Sequence, residues 1–501
     1  MDQYFIGVDS GTQGTKAVIV SVKQKKVLAA SYRAYPMIEG PNGKKEQEPH
    51  LWIEAVIATI REAVHTSGAD PAQVLGIGVS GQQHGCVPLD RDGNVIRPAK
   101  LWCDTETDAE AREITEALGG ESAVIAGIGN SIAVGFTASK IAWLKKHEPE
   151  NYDKMQAVLL PHDYINFWLT GEMRAECGDA SGTAYFDVHS RSYSPDVLRA
   201  IDDSGKLAEC VPKIIGSDQP VGRLRANAAE KLGLSREVVV SSGGGDNMMA
   251  AIGAGNVKPG VVTMSLGTSG TIYSFSETPI VDEQGELASF CSSDGHWLPL
   301  VCTMNVTVAT ELTRALFEDD VSVLNDKIAA SPVGADGVLM LPYFNGERTP
   351  ALPNATASLH GLNASNYNSQ NISRAAMEGA TFGLRYGLDV LKRNGIEPKE
   401  IRLVGGGSKS AIWRQIVADV FNAPVVCPVT QEAGAFGAAL QAFWCFERAS
   451  GKNTKLPEIT EQFVSLNKES RCEPNAQHVA AYDEIYEKYQ AVNSALAETY
   501  N

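Results

Sequence analysis

Tyr4-Phe5-Ile6-Gly7-Val8-Asp9-Ser10-Gly11-Thr12-Gln13-Gly14-Thr15-Lys16-Ala17-Val18-Ile19-Val20 opens the chain with two apolar runs joined by a short glycine-rich turn. The second run is rich in Val and Ile, so the unit reads as strand, turn, strand. That is a β-hairpin and not the strand–loop–helix of a P-loop. The pattern recurs in mid-chain: Gly260 to Leu266, then Gly267-Thr268-Ser269-Gly270-Thr271, then Ile272 to Phe275. Gly11 and Gly267 stand 256 positions apart in a chain of 501 residues. The string G-T-x-G-T at the same place in two hairpins implies two related domains, each presenting a turn to a shared cleft.

Outward from the hairpins, helical periodicity covers Leu51 to His65, Ala138 to Lys146, Thr307 to Phe317, Ile372 to Arg393 and Ala411 to Phe421. Short strands are expected at Val74 to Val79, Ala157 to Leu160, Val238 to Ser241, Gly337 to Leu341 and Ile401 to Val404. Alternating strands and helices indicate α/β domains. The Gly- and Ala-rich stretch from Gly253 to Pro259 sets the expected boundary, giving domains 1–253 and 254–501, the second ending in an amphipathic helix from Ala476 to Thr499. A length of 501 residues exceeds what one core supports, which agrees with two.

The balance of charge excludes several functions. A net charge of −17 argues against non-specific binding to nucleic acid or to an anionic membrane, though not against a local phosphate site. With 44% hydrophobic residues the chain is too apolar for disorder, yet no apolar run approaches the roughly 18–20 residues of a membrane span. Met1 to Ser10 lacks the pattern of a signal peptide, and the nine scattered cysteines contain no C-x-x-C pair, so neither a disulfide framework nor a zinc site is expected. The expected protein is cytoplasmic and acts on small molecules.

Four glycine-rich stretches carry candidate chemistry. Gly11, Thr12, Gly14, Gly267 and Thr268 lie in turns where converging backbone N–H groups suit a phosphate, and Lys16 adds a point charge. Tight turns are the plainer reading for one such string; two at equivalent places favour the cradle. Gly405-Gly406-Gly407-Ser408 stands between a strand and a helix starting near Ser410, which suits a nucleotide or merely caps the helix. Gly243-Gly244-Gly245-Asp246-Asn247 follows a strand, and Asp246 is the candidate base for phosphoryl transfer to an alcohol, against the simpler role of an N-cap. Asp9, at a strand end beside a phosphate-type turn, is the candidate Mg²⁺ carboxylate, or else a turn former. Gln82-Gln83-His84-Gly85 offers amide and imidazole groups for several hydroxyls, though a loop histidine is often only solvated. Gly76-Ile77-Gly78-Val79-Ser80-Gly81 fits G-x-G-x-x-G, but no helix follows it, so a dinucleotide site is not expected.

Together these residues resemble the FGGY family of carbohydrate kinases, within the actin/hexokinase/heat-shock ATPase superfamily. Two extended signatures carry the resemblance: Gly135-Phe136-Thr137-Ala138-Ser139-Lys140-Ile141-Ala142-Trp143-Leu144, and the run from Ala357 through Gly361-Leu362 and Asn371-Ile372 to Ala375-Ala376-Met377-Glu378. The resemblance implies two actin-like (ribonuclease H-like) α/β domains flanking a deep cleft, with ATP and Mg²⁺ bound there. By the same resemblance Asp246 is the catalytic base, and Gln83, His84, Asp104 and Asn247 join it at the sugar. Asp9 sits at the Mg²⁺–phosphate site, the turns at Thr12 and Thr268 hold phosphates, Gly406 and Ser410 lie near adenine, and Gly405 and Gly407 join them in binding the nucleotide. The members it most resembles phosphorylate D-xylulose. Gluconate, ribulose and a tetritol are the alternative substrates, and an actin-like sensor that transfers no phosphate is the alternative class. A homodimer is expected only by analogy. The chain departs from the pattern at Gln83, where Met is usual, at Glu106, where Trp102-Cys103-Asp104-Thr105 is usually followed by a basic residue, and at Val134, where Pro is usual.

Overall fold

The computed structural model describes residues 2–500. The chain divides into two compact units. The first comprises the chain up to Lys258 with 275–298 and 432–464; the second comprises 259–274, 299–431 and the chain from 465 onward. The compact units do not follow a single cut in the chain: 275–298 and 432–464 belong with the first unit.

At the centre of the first unit Tyr4–Ser10 pairs antiparallel with Gly14–Ser21, placing Ser10 opposite Thr15, and parallel with Val74–Gly81, placing Asp9 opposite Ser80. Lys26–Ala34 extends the sheet beyond Gly14–Ser21, and Val239–Ser241 extends it beyond Val74–Gly81. Both faces are covered, and the alternation along each strand decides which residue faces which helix. Ile6, Val8, Ala17 and Ile19 pack with Trp52, Val56 and Ile60 of helix Pro49–Ser67. Phe5, Val18 and Val20 point the other way, against Phe436 and Leu440 of helix Ala433–Ala449. Each fully buried side chain of this size contributes about 1.5–3 kcal/mol.

Helix Ala433–Ala449 lies unusually close to the sheet. A Cβ at Gly7 would stand 1.7 Å from the Ala435 carbonyl oxygen, and one at Gly78 would stand 2.0 Å from that of Ala438. The G-x-G-x-x-G string thus serves packing: Gly76 and Gly78 clear the Phe5 ring and this helix, and Gly81 clears His162.

The second unit repeats the plan. Val261–Leu266 pairs antiparallel with Gly270–Ser274 and parallel with Glu400–Val404. Trp297–Thr303 continues on the hairpin side, and Val425–Pro428 then Leu466–Cys472 on the other. In both units the strands run three-two-one-four-five, the first three antiparallel and the last two parallel to the first. That is the actin-like core, built twice. Helix Ser369–Arg393 carries a buried ion pair, Arg374 Nε 2.6 Å from Glu378 Oε1, and the C-terminal helix Ala476–Ala497 joins it through the Tyr482 hydroxyl, which donates to the same oxygen at 2.7 Å. All nine cysteines are free. Among the described residues no helix is long and apolar enough to cross a membrane.

Candidate active site

In the first unit, two strand ends and two helix starts bring the acidic groups together. Asp9 ends its strand beside Ser80, whose Oγ donates to Asp9 Oδ1 at 2.7 Å. Helix Ala433–Ala449 begins at this carboxylate, where a Cβ on Gly434 would lie 2.8 Å from Asp9 Oδ2. Burial raises the Asp9 pKa, while the Ser80 hydroxyl pulls it down. The partial positive charge of a helix N-terminus also favours the ionised form. Asp246 is the first residue of helix Asp246–Gly253 and is partly exposed. Its carboxylate accepts the Asn247 backbone N–H at 2.8 Å and Asn247 Nδ2 at 3.1 Å. Burial, then the negative charges of Asp9 and Asp179, push its pKa up to about 7. The carboxylic acid at this position therefore takes up or releases its proton near neutrality, as a general base requires.

Around Asp246 the three preceding glycines make room for neighbours. A Cβ on Gly245 would fall 2.7 Å from Gln83 Cγ, and Gln83 Oε1 accepts from Asn247 Nδ2 at 2.9 Å. Gly243, at φ 71°, leans on the Val79 carbonyl and the His162 ring. Behind this loop His162 is fully buried, with Nδ1 2.6 Å from Asp179 Oδ2 and Nε2 3.0 Å from Asp163 Oδ1. Burial alone would depress the imidazole, but the two carboxylates hold its pKa well above the usual value. Gln441, on helix Ala433–Ala449, grips the loop from the other side: Oε1 accepts from the Gly243 N–H at 2.9 Å, and Nε2 donates to the Gly243 carbonyl at 3.0 Å. Gln441 and the Asp179 partner of His162 escaped the sequence reading. The only signal for His162 was the string Pro161-His162-Asp163-Tyr164.

The first turn is wired rather than loose. Tyr35 Oη donates to the Gly11 carbonyl at 2.6 Å, and Gln47 Nε2 donates to that of Thr12 at 2.7 Å. The Thr12 hydroxyl, expected at a phosphate, donates to Gln82 Oε1 at 3.3 Å and accepts from the Trp102 indole at 2.9 Å. Lys16, also expected there, has its ammonium 2.5 Å from Glu432 Oε2. Both partners are over a third exposed, so the pair is worth only roughly 0–1 kcal/mol.

Asp104 requires correction as a sugar contact. It is fully buried, its Oδ2 accepting from the Lys45 N–H at 2.9 Å and from Lys100 Nζ at 3.1 Å, and its Oδ1 accepting from the Glu106 N–H at 3.1 Å. Glu46, Asp104 and Glu106 form a cluster of metal-site dimensions, but the Lys100 ammonium sits among them, 3.4, 3.1 and 2.5 Å away respectively. A lysine therefore supplies the charge that a cation would supply. It also accounts for Glu106: the cation usual at that position comes here from Lys100.

In the second unit the Gly267–Thr268 turn is anchored to helix Thr307–Leu316, with the Val306 N–H donating to the Thr268 carbonyl at 3.0 Å and the Thr307 N–H to that of Gly267 at 2.9 Å. Gly405, at φ 85°, lies against Leu266, where a Cβ would come within 2.8 Å of that residue's backbone. The two glycine-rich turns of this unit are thus neighbours, and Gly406 beside them has open space where a Cβ would go. Such a bare backbone admits a flat or anionic ligand closely. Ser410 follows these glycines at the start of the next helix. It caps helix Ala411–Phe421 by accepting from the Trp413 N–H at 3.3 Å, and its hydroxyl donates to Asn325 Oδ1 at 2.8 Å.

Two actin-like cores, a carboxylate titrating near neutrality and paired glycine turns define an ATP-dependent phosphotransferase of the sugar kinase type. Residues 4–253 match the N-terminal domain and 262–446 the C-terminal domain of the FGGY family of carbohydrate kinases, and the chain belongs to that family. It is 44% identical over 489 residues to the xylulose kinase of Haemophilus influenzae, covering 97% of this chain and 98% of that protein. Among solved structures it resembles a ligand-bound xylulose kinase from Lactobacillus acidophilus, with a TM-score of 0.91 at 26% identity over 99% of each chain. It resembles equally a gluconate kinase from the same organism, with a TM-score of 0.91 at 26% identity over 100% of this chain and 99% of that one. Fold similarity therefore does not separate the two sugars; sequence similarity bears on that choice.

Proposed function

We propose that the protein transfers the γ-phosphoryl group of ATP to the terminal hydroxyl of D-xylulose, giving D-xylulose 5-phosphate and ADP. The observation that carries the chemistry is Asp246, partly exposed at a helix start with its pKa near 7. In the proposed reaction the sugar O5 attacks the γ-phosphorus in line as the bond to the bridging oxygen of ADP breaks. Asp246 orients the O5–H and takes its proton late, because the transition state is loose. Gln83, His84 and Asn247 bind the sugar in the first unit. In the same unit Gly11, Thr12, Gly14 and Lys16 face a phosphate, with Lys16 leaving Glu432 to do so. In the second unit Gly267 and Thr268 take a phosphate and Gly405 to Gly407 take the adenosine. Asp9, a partly exposed carboxylate at a strand end, fits a hydrated Mg²⁺, which would neutralise phosphate charge when bound. The 44% relative over almost the whole chain supports D-xylulose as the sugar.

ADP release measured with D-xylulose, D-ribulose, D-gluconate and erythritol tests the reading. D-xylulose should be strongly preferred; a preference for gluconate reassigns the substrate, and release that ignores the sugar favours the sensor. Gln83→Met, which removes one acceptor of Asn247 Nδ2, should mainly change the ratio of kcat/KM for D-xylulose to that for the other sugars. A uniform loss across the panel contradicts a sugar-reading role.

The acid limb of the pH profile follows from Asp246. A base works only when ionised, so kcat/KM for the sugar should rise with pH up to about 7 and level off above it. A profile flat between pH 5.5 and 8.5 removes Asp246 as the titrating group.

A further inference from the structure

His84 has a left-handed backbone, φ 63°, which is strained for a non-glycine residue and persists only where the surroundings enforce it. The enforcement comes from helix Thr137–His147. Thr137 Oγ1 donates to the His84 carbonyl at 3.2 Å, and Lys140 Nζ donates to the same oxygen at 3.1 Å. The remaining acceptors of Lys140 are the carbonyls of Gly135 and Phe136, so its hydrogen bonds all end on main-chain oxygens. Lys140 is only 1% exposed, and burial pulls its pKa down to about 7. An ammonium without a hydrogen-bonded carboxylate in such a place is costly, and a packed apolar side chain would serve stability better. The His84 ring is walled in as well: its centroid is 4.4 Å from that of Phe136 and 5.7 Å from that of Phe290. On a third side a Cβ on Gly182 would lie 2.3 Å from His84 Cε1.

We propose that Lys140, assisted by Thr137, is a positioning residue that locks the backbone of His84 and thereby sets affinity for the sugar and not for the nucleotide. The proposal rests on His84 contacting the sugar. The signature run Gly135 to Leu144 then acquires a physical role, because it delivers two donors to one strained carbonyl.

The test uses the full-length protein with Lys140→Met, Thr137→Val and His84→Ala, singly and paired. KM for D-xylulose and for ATP is read from ADP release, and the imidazole signals from histidine-selective NMR, with the His84 signal identified by its loss in His84→Ala. Lys140→Met should raise the sugar KM about tenfold and Thr137→Val about threefold, with the ATP KM within about twofold. Both effects should vanish once His84 is alanine, and the His84 signal should shift in each single variant. Additive losses in the paired variants, an equal rise in the ATP KM, or an unmoved His84 signal overturns the proposal. If Lys140→Met does not fold, Thr137→Val removes a single hydroxyl and gives the same comparison. Absence of wild-type turnover on D-xylulose refutes the substrate instead, and the His84 signal then decides the role of Lys140 by itself.

Discussion

Asp246→Asn should fold, bind ATP and turn over the sugar about 10²–10⁴-fold more slowly. Asparagine has the same shape and keeps an oxygen for the Asn247 N–H, so the helix start is preserved. What disappears is the group that accepts the O5 proton. The stability effect has a definite sign. A carboxyl whose pKa rises on folding contributes stability below its unfolded pKa of about 4, and that contribution is lost as pH rises through about 7. At pH 8 the ionised Asp246, facing Asp9 and Asp179, is a burden on the fold. Asparagine removes the burden, so thermal unfolding at pH 8 should show an equal or higher Tm beside the collapse in turnover. Turnover near the wild-type value would exclude Asp246 as the base.

Gly437→Ala should have the largest effect on folding. Helices Asp246–Gly253 and Ala433–Ala449 touch backbone to backbone: a Cβ on Gly437 would stand 1.8 Å from the Met249 carbonyl oxygen, and one on Gly253 would stand 2.0 Å from that of Ala433. No side chain can turn aside, because the obstacle is main chain. The helices must part, and overpacking of this kind costs about 3 kcal/mol or more. One helix starts at Asp246 and the other against Asp9, so any protein that does fold carries a displaced carboxylate pair. A shift of about 1 Å at a reacting group can cost on the order of 10²-fold in rate. The measurements are soluble yield, the unfolding midpoint and kcat, with Gly127→Ala as the comparison. A Cβ there meets nothing within 4 Å, so that variant should be neutral or slightly stabilised. Unchanged stability in Gly437→Ala would mean the two helices tolerate separation.

The sequence made the hairpins legible because their signal is local: apolar runs with a glycine turn between them, given twice. Asp246 stood out for the same reason, after three glycines in a row. Helix Ala433–Ala449 did not. Ala-Gly-Ala-Phe-Gly-Ala-Ala-Leu-Gln-Ala-Phe-Trp is buried on nearly all sides, so it lacks the polar face that makes a helix visible as a period. Gln441 and Glu432 went unseen with it, because their partners, Gly243 and Lys16, lie about 200 and 400 positions away. Asp104 shows the opposite failure. Its motif was plain, but a motif does not reveal that Lys100 and two backbone N–H groups already use both oxygens.

The assembly of the first unit from three stretches of chain also sets an order of events during synthesis. The strands around Phe5, Gly7 and Gly78 are made first, yet the helix that covers that face is encoded from Ala433 onward. At about 5–20 residues per second the ribosome takes roughly 20–80 s to reach it. Throughout that interval one face of the N-terminal sheet is without its partner, and the apolar side chains Phe5, Val18 and Val20 are available to chaperones and to other nascent chains. The first unit thus closes around Asp9 and Asp246 only after helix Ala433–Ala449 has been made.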